Sequence, residues 1–140
     1  CETICDGRHL APGSVRMYAK CKGLDRIVAI TDSIMAAGLP DGNYHLGVND
    51  VVVIDGDAKL ASNGTRAGST LTQDVALKNM LKWLPNTLEE IIPTLTENPA
   101  REMNLWDRKG SIETGKDADL VLLDEEANIV HVFARGKQVK

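Results

Sequence analysis

The sequence predicts an α/β fold, on three observations. The stretch SVRMYAKCKG carries apolar residues at helical spacing and is followed, after Leu24 to Arg26, by IVAI, Ile27 to Ile30, an unbroken apolar run of the kind found in strands buried on both faces. β-Branched runs punctuated by Asp-Gly and Asn-Asp fill the stretch from Asp41 to Ala61. Strand patterns return beyond Gly110, after a region of helical periodicity.

Taken in order, Ser14 reads as a helix cap before Val15, Met17, Tyr18 and Cys21, and Gly23 as the stop. Ile27 to Ile30 then form a buried parallel-type strand, completing an αβ unit. Asp41 to Ala61 predicts hairpin-rich antiparallel structure. ASNGTRAGSTLTQD is a loop entering a helix, with Thr70 and Gln73 at capping-box spacing and Leu77, Met80, Leu81 and Leu84 on one face. Leu88, Ile91, Ile92 and Leu95 repeat that face, but Pro93 removes a backbone donor and predicts a kink or an end. Asn98 and Pro99 read as a cap and a first-turn proline. DADLVLLD and IVHVFARG, joined by EEAN, are two strands of a hairpin.

Composition narrows the class. A domain of 140 residues buries roughly 68–70% of the surface of its unfolded chain, and 43% hydrophobic with 26% charged residues argues against disorder. Aromatics are only 4%, so the core is aliphatic. The net charge of −4 is spread in both signs along the chain, which excludes the footprint of a nucleic-acid binder. No apolar run approaches the roughly 18 residues of a membrane span, and no signal pattern opens the chain. The expectation is a soluble, cytoplasmic protein with no membrane partner. Cys1, Cys5 and Cys21 are odd in number and crowded at one end, so they are expected to be reduced, buried and inert. The chain starts at Cys1 in mid-pattern and is read as a piece of something longer.

Three places could carry chemistry. Asp32 stands directly after the IVAI strand, at the carboxyl end where α/β enzymes gather catalytic groups. Position alone leaves open whether it acts as an acid/base or merely caps a turn with Thr31 and Ser33. His9, in DGRHLAP, is held on a loop between Asp6-Gly7 and Pro12, where it could donate to a phosphate or polarise a carbonyl. RAGST, Arg66 to Thr70, places small residues before a helix start, whose free N–H groups would suit an anion or a polar oxygen. His45 and His131 fall within strands and share no metal-ligand spacing with His9.

DGRHLAP, IVAITDSIMAAGLPDGNYHLG, NGTRAGSTLTQD, TENPAR and KGSIETGKDADLVLLD occur in that order. In this the chain resembles the N-acetylglucosamine-6-phosphate deacetylases of the amidohydrolase superfamily. The resemblance implies the last part of a metal-dependent (β/α)8 barrel together with the C-terminal strands of a small β-sandwich. Residues 1–40 and 62–108 would be barrel-derived, 41–61 a β-hairpin excursion and 109–140 sandwich strands. It further implies that Asp32, a buried carboxylate beside a cation, is the general acid/base that deprotonates a metal-bound water and protonates the departing glucosamine nitrogen. Asp6, Gly7, Arg8 and His9 would meet the substrate near its phosphate, and Arg66, Ala67, Gly68 and Ser69 would line the sugar.

The family's divalent metal ion (zinc, iron, manganese or similar) is held by a glutamate and two histidines that have no match in these residues, so none is expected in this segment. Arg8 and Arg66 stand where family members usually carry apolar or smaller residues. The partners implied are an amino-sugar phosphate and, at full length, a second copy in a homodimer, with self-association of this segment alone. The alternatives are an amidohydrolase acting on another amide and a noncatalytic structural module.

Overall fold

The computed structural model describes residues 1–140. Two short parallel strands, β1 (Glu2–Ile4) and β2 (Val28–Ile30), pair in the register Thr3 opposite Ala29, and helix α1 (Pro12–Lys22) connects them. Strands β3 (Gly42–Leu46), β4 (Asn49–Ile54) and β5 (Asp57–Leu60) form an antiparallel sheet. Helices α2 (Gln73–Trp83), α3 (Leu88–Ile91) and α4 (Glu97–Glu102) follow. A second antiparallel sheet of β6 (Leu120–Leu123), β7 (Ile129–Ala134) and β8 (Lys137–Gln138) ends the chain. No helix is long and apolar enough to cross a membrane.

The αβ unit and the hairpin-rich antiparallel structure of residues 41–61 stand as the apolar pattern predicts. Pro93 ends α3 as expected: the chain tightens into a 3-10 turn over Ile92–Thr94, which needs no N–H from the proline. Strand β1 has no counterpart in the sequence reading, because three residues are too few for periodicity to register.

The capping assignments shift, each for a local reason. Helix α1 starts at Pro12 rather than after Ser14, since a proline at the first helical position has its φ preset and lacks only a donor that would go unused. Helix α2 starts at Gln73 with Thr72 before it. Thr70 Oγ1 instead donates to the Gly56 carbonyl at 2.6 Å, and Gln73 Nε2 donates to the Ala29 carbonyl at 3.1 Å. A capping box does exist, at Thr87 and Glu90 on α3. Asn98 lies inside α4, and its Nδ2 donates to the carbonyls of Leu24 and Ile27, locking α4 to the start of β2.

Two apolar clusters result. The larger joins Val15 of α1, Ala29 of β2, and Ala76, Leu77 and Met80 of α2 with Cys5 and Ile91. Only one face of the parallel pair is packed in this way. Ile27 and Ala29 are buried, whereas Val28 and Ile30 are half-buried, so the expectation of a strand buried on both faces is corrected. The smaller cluster places Val51, Val53 and Ala58 of the first sheet against Ile34, Ala36 and Ala67. All three cysteines are unpaired as expected, but the expectation of burial holds for Cys5 alone. Burial, with Asp6 beside it, pushes its thiol up to about 11, while Cys1 and Cys21 are exposed.

Candidate active site

The carboxyl ends of β1 and β2 lie side by side, and each runs into one of the segments singled out above. After β1, Asp6 Oδ1 accepts from the backbone N–H groups of Arg8 and His9, both at 2.8 Å, and so folds the chain into a tight loop. Its other oxygen, Oδ2, lies 2.7 Å from His9 Nδ1. Burial opposes ionisation of Asp6, but these hydrogen bonds from His9 and Arg8 outweigh it, and its carboxyl falls below the usual range. An ionised Asp6 so close to Nδ1 orients the imidazole and turns Nε2 away from the carboxylate. Gly7 supplies the positive φ of +75° that the loop requires, and a Cβ there would meet the ring of Trp83 at 3.5 Å, an ordinary contact, so the backbone conformation alone calls for glycine.

After β2, Asp32 takes up the left-handed region, with φ of 51°. That conformation is uncommon outside glycine, and strain of this kind costs on the order of 1–3 kcal/mol. It is held from both sides. The Asp32 carbonyl accepts from Ser69 N–H at 2.8 Å, Ile34 N–H donates to the Ser69 carbonyl at 2.9 Å, and the Ser69 hydroxyl donates to the Thr31 carbonyl. A Cβ added to Gly68 would sit 2.8 Å from the Asp32 carbonyl oxygen, 2.8 Å from Ile34 Cγ2 and 3.7 Å from Asp32 Oδ2. Glycine is therefore required where the turn passes the aspartate, and Ile34 and Ala67 of the smaller apolar cluster underlie both.

Two expectations about these residues change. Asp32 is exposed rather than buried, although it stands beside the Gly68 turn. RAGST is not a helix N-terminus: α2 begins later, and the Ala67 and Ser69 N–H groups already donate to Ala58 and Asp32 carbonyls, so they are not free for an anion. The segment runs back along β5, with Lys59 opposite Arg66.

The structure brings the His9 loop and the Gly68 turn together. Asp6, Arg8, Gly68 and Ser69 share one cleft of about 230 Å³ with Asp57 and Thr70. Contact between the two segments runs through Arg66, whose Nη1 donates to the Arg8 carbonyl at 3.4 Å. The rest of that guanidinium is engaged by Asp57, Nε to Oδ1 at 2.9 Å and Nη2 to Oδ2 at 3.2 Å. Arg8 donates to the Asp55 carbonyl at 2.5 Å and lies 3.8 Å from Asp57.

Asp57 is the residue that the sequence reading missed, because Asp-Gly-Asp was taken as hairpin punctuation. The Arg66 fork lowers its carboxyl to about 2 against the opposing effect of burial, with Lys59 assisting from 3.1 Å. The only available signal was an acid within a strand that also contributes a lysine two residues on. No three of the His, Cys, Asp and Glu side chains converge on a point that could hold a metal ion. These residues by themselves do not form a metal centre.

The profile of the amidohydrolase family matches residues 25–139, most of the chain. The chain belongs to the amidohydrolase family. Among relatives of this amidohydrolase chain, the N-acetylglucosamine-6-phosphate deacetylase of Bacillus subtilis is 36% identical over 96% of the chain and 34% of the relative. A putative N-acetylgalactosamine-6-phosphate deacetylase of Escherichia coli K12 is 37% identical over 97% of the chain and 80% of the relative. The crystal structure of N-acetylglucosamine-6-phosphate deacetylase from Thermotoga maritima superposes with a TM-score of 0.92 and 43% identity, over 99% of this chain and 38% of that one. The fold is therefore that of part of an amidohydrolase, and the chain spans about a third of the length of the Bacillus relative.

Proposed function

We propose that the intact protein of which this amidohydrolase chain is a part hydrolyses the acetamide of N-acetylglucosamine 6-phosphate to glucosamine 6-phosphate and acetate. The observation that carries the proposal is the seating of Asp32 at the carboxyl end of β2, in a left-handed conformation fixed by the Gly68–Ser69 turn. A carboxylate so placed takes a proton from the attacking water as its oxygen bonds to the acetyl carbon. It returns that proton to the sugar nitrogen as the C–N bond breaks. His9, oriented by Asp6, meets the substrate with Nε2, and the backbone from Arg66 to Ser69 lines the sugar.

A divalent cation, zinc, iron or manganese, belongs to the proposal as a group held by residues outside these 140. Residues 1–40 and 62–108 are proposed as the barrel-derived part and 109–140 as sandwich strands, with the reaction in the cytoplasm, where unpaired thiols persist. A homodimer at full length completes the reading.

The test is acetate release by the intact protein. Asp32→Asn should leave KM within about twofold and lower kcat by about 10²–10⁴-fold. Near-normal turnover would remove Asp32 from its role. The Escherichia coli relative favours a second reading, the galacto epimer as substrate. Comparing kcat/KM for the two sugar phosphates and for unphosphorylated N-acetylglucosamine separates the readings, and a preference for the unphosphorylated sugar would exclude both.

A further inference from the structure

We propose that Asp57 is a positioning residue for His9: it fixes the antiparallel sheet of residues 42–60 to the loop that orients the imidazole. The inference rests on the reading of His9 as a substrate contact. A continuous polar path supports it. Asp57 grips Arg66 through two parallel hydrogen bonds. Arg66 Nη1 reaches the Arg8 carbonyl, the Arg8 N–H donates to Asp6, and the Asp6 carboxylate orients His9 Nδ1.

Each link constrains the next. The forked Arg66–Asp57 pair has one geometry, unlike a single point contact. Asp57 is itself well packed, with its side chain 11% exposed and its neighbour Ala58 in the smaller apolar cluster. The same sheet holds the other side of the site, since Ala67 N–H donates to the Ala58 carbonyl just before Gly68. Lys59 also touches Asp57, yet it lies off the path to His9, with its side chain 46% exposed. Of the three cations on this carboxylate, Arg8 and Arg66 lie on the path and Lys59 does not, and that difference makes the inference testable.

The experiment uses the intact protein and two readouts. With N-acetylglucosamine 6-phosphate, Asp57→Asn should raise KM about tenfold while kcat stays within about twofold, the pattern of lost binding rather than lost chemistry. Asp57→Glu, which keeps the charge, should recover part of that loss. Lys59→Met should leave KM unchanged. Hydrogen exchange of the peptide spanning residues 6–11 reads the loop without activity: Asp57→Asn should speed it, and Lys59→Met should not.

Equal effects from Asp57→Asn and Lys59→Met, or no change in KM and exchange for Asp57→Asn, would overturn the inference. Failure of the wild-type protein to release acetate would instead overturn the proposed function, with the exchange experiment still deciding whether Asp57 holds the loop. Should Asp57→Asn not fold, Arg66→Lys breaks the fork and the link to Arg8 while keeping a cation, and the same changes are expected.

Discussion

The sheet of residues 42–60 and the sheet of residues 120–138 each contain three antiparallel strands joined by tight turns, but their burial differs. The first buries Val51, Val53, Asp57 and Ala58. The second buries no strand residue and leaves Val121, Leu122 and Val130 exposed, anchored to the larger apolar cluster by Ala127 in its turn and by Lys78 donating to Asn128. Alternating β-branched sequence specifies a sheet in both places. What a sheet does depends on what its face meets, here Ile34, Ala36 and Ala67 in one case and solvent in the other. The first sheet thereby becomes part of the site, with Asp57 on its edge and the Gly68 turn as its continuation.

The sharpest way to break this contrast is to place a carboxylate on each face of the 140-residue chain. Val53→Asp should cost more than about 4 kcal/mol in urea unfolding, because an unpaired charge would be buried, whereas Val121→Asp should cost far less. An equal loss at Val121 would show that the two faces are not different in kind.

Next in size is Gly68→Ala, expected to cost about 2–4 kcal/mol from its positive φ and its clash with Asp32 and Ile34. Gly64→Ala, with φ of +72° and nothing near its Cβ, should cost only about 1 kcal/mol, so the difference isolates the contacts with Asp32 and Ile34.

Acid sharpens the comparison further. Asp57 has a folded-state carboxyl at about 2, below its unfolded value of about 3.9, so its contribution is complete above pH 4 and is lost as pH falls toward 2. The contribution is on the order of 2 kcal/mol, and Asp57→Asn should flatten the stability curve across that window. A curve as steep as wild type would assign the acid sensitivity to other carboxylates.

The smallest effect concerns the open face. Light scattering should show self-association of the 140-residue chain. Val121→Lys combined with Val130→Lys should reduce it while changing stability by no more than about 0.5 kcal/mol. A clean monomer of the unaltered chain would count against an open apolar face.

Much of the fold was legible from local pattern. The IVAI run, the hairpin texture of residues 41–61, the α2 face and the break at Pro93 all rest on periodicity or on proline chemistry, which act within a few residues. Strand β1 was not legible, because Glu2–Ile4 is identifiable only by its pairing with β2. The capping assignments failed for a related reason: Thr70 and Asn98 found partners at Gly56 and at Leu24 and Ile27, up to 74 residues away, that outcompete a local cap.

For the candidate site, residue type and neighbourhood were enough to mark a carboxylate after a strand, a histidine after Asp-Gly and a glycine in a polar loop. Only the tertiary structure decided that Asp32 is strained and exposed beside Gly68, that Arg66 is bound to Asp57, and that Asp57 is connected to His9. Hydrogen bonds of fixed geometry between distant segments exist only once packing has brought those segments together, so no local pattern encodes them.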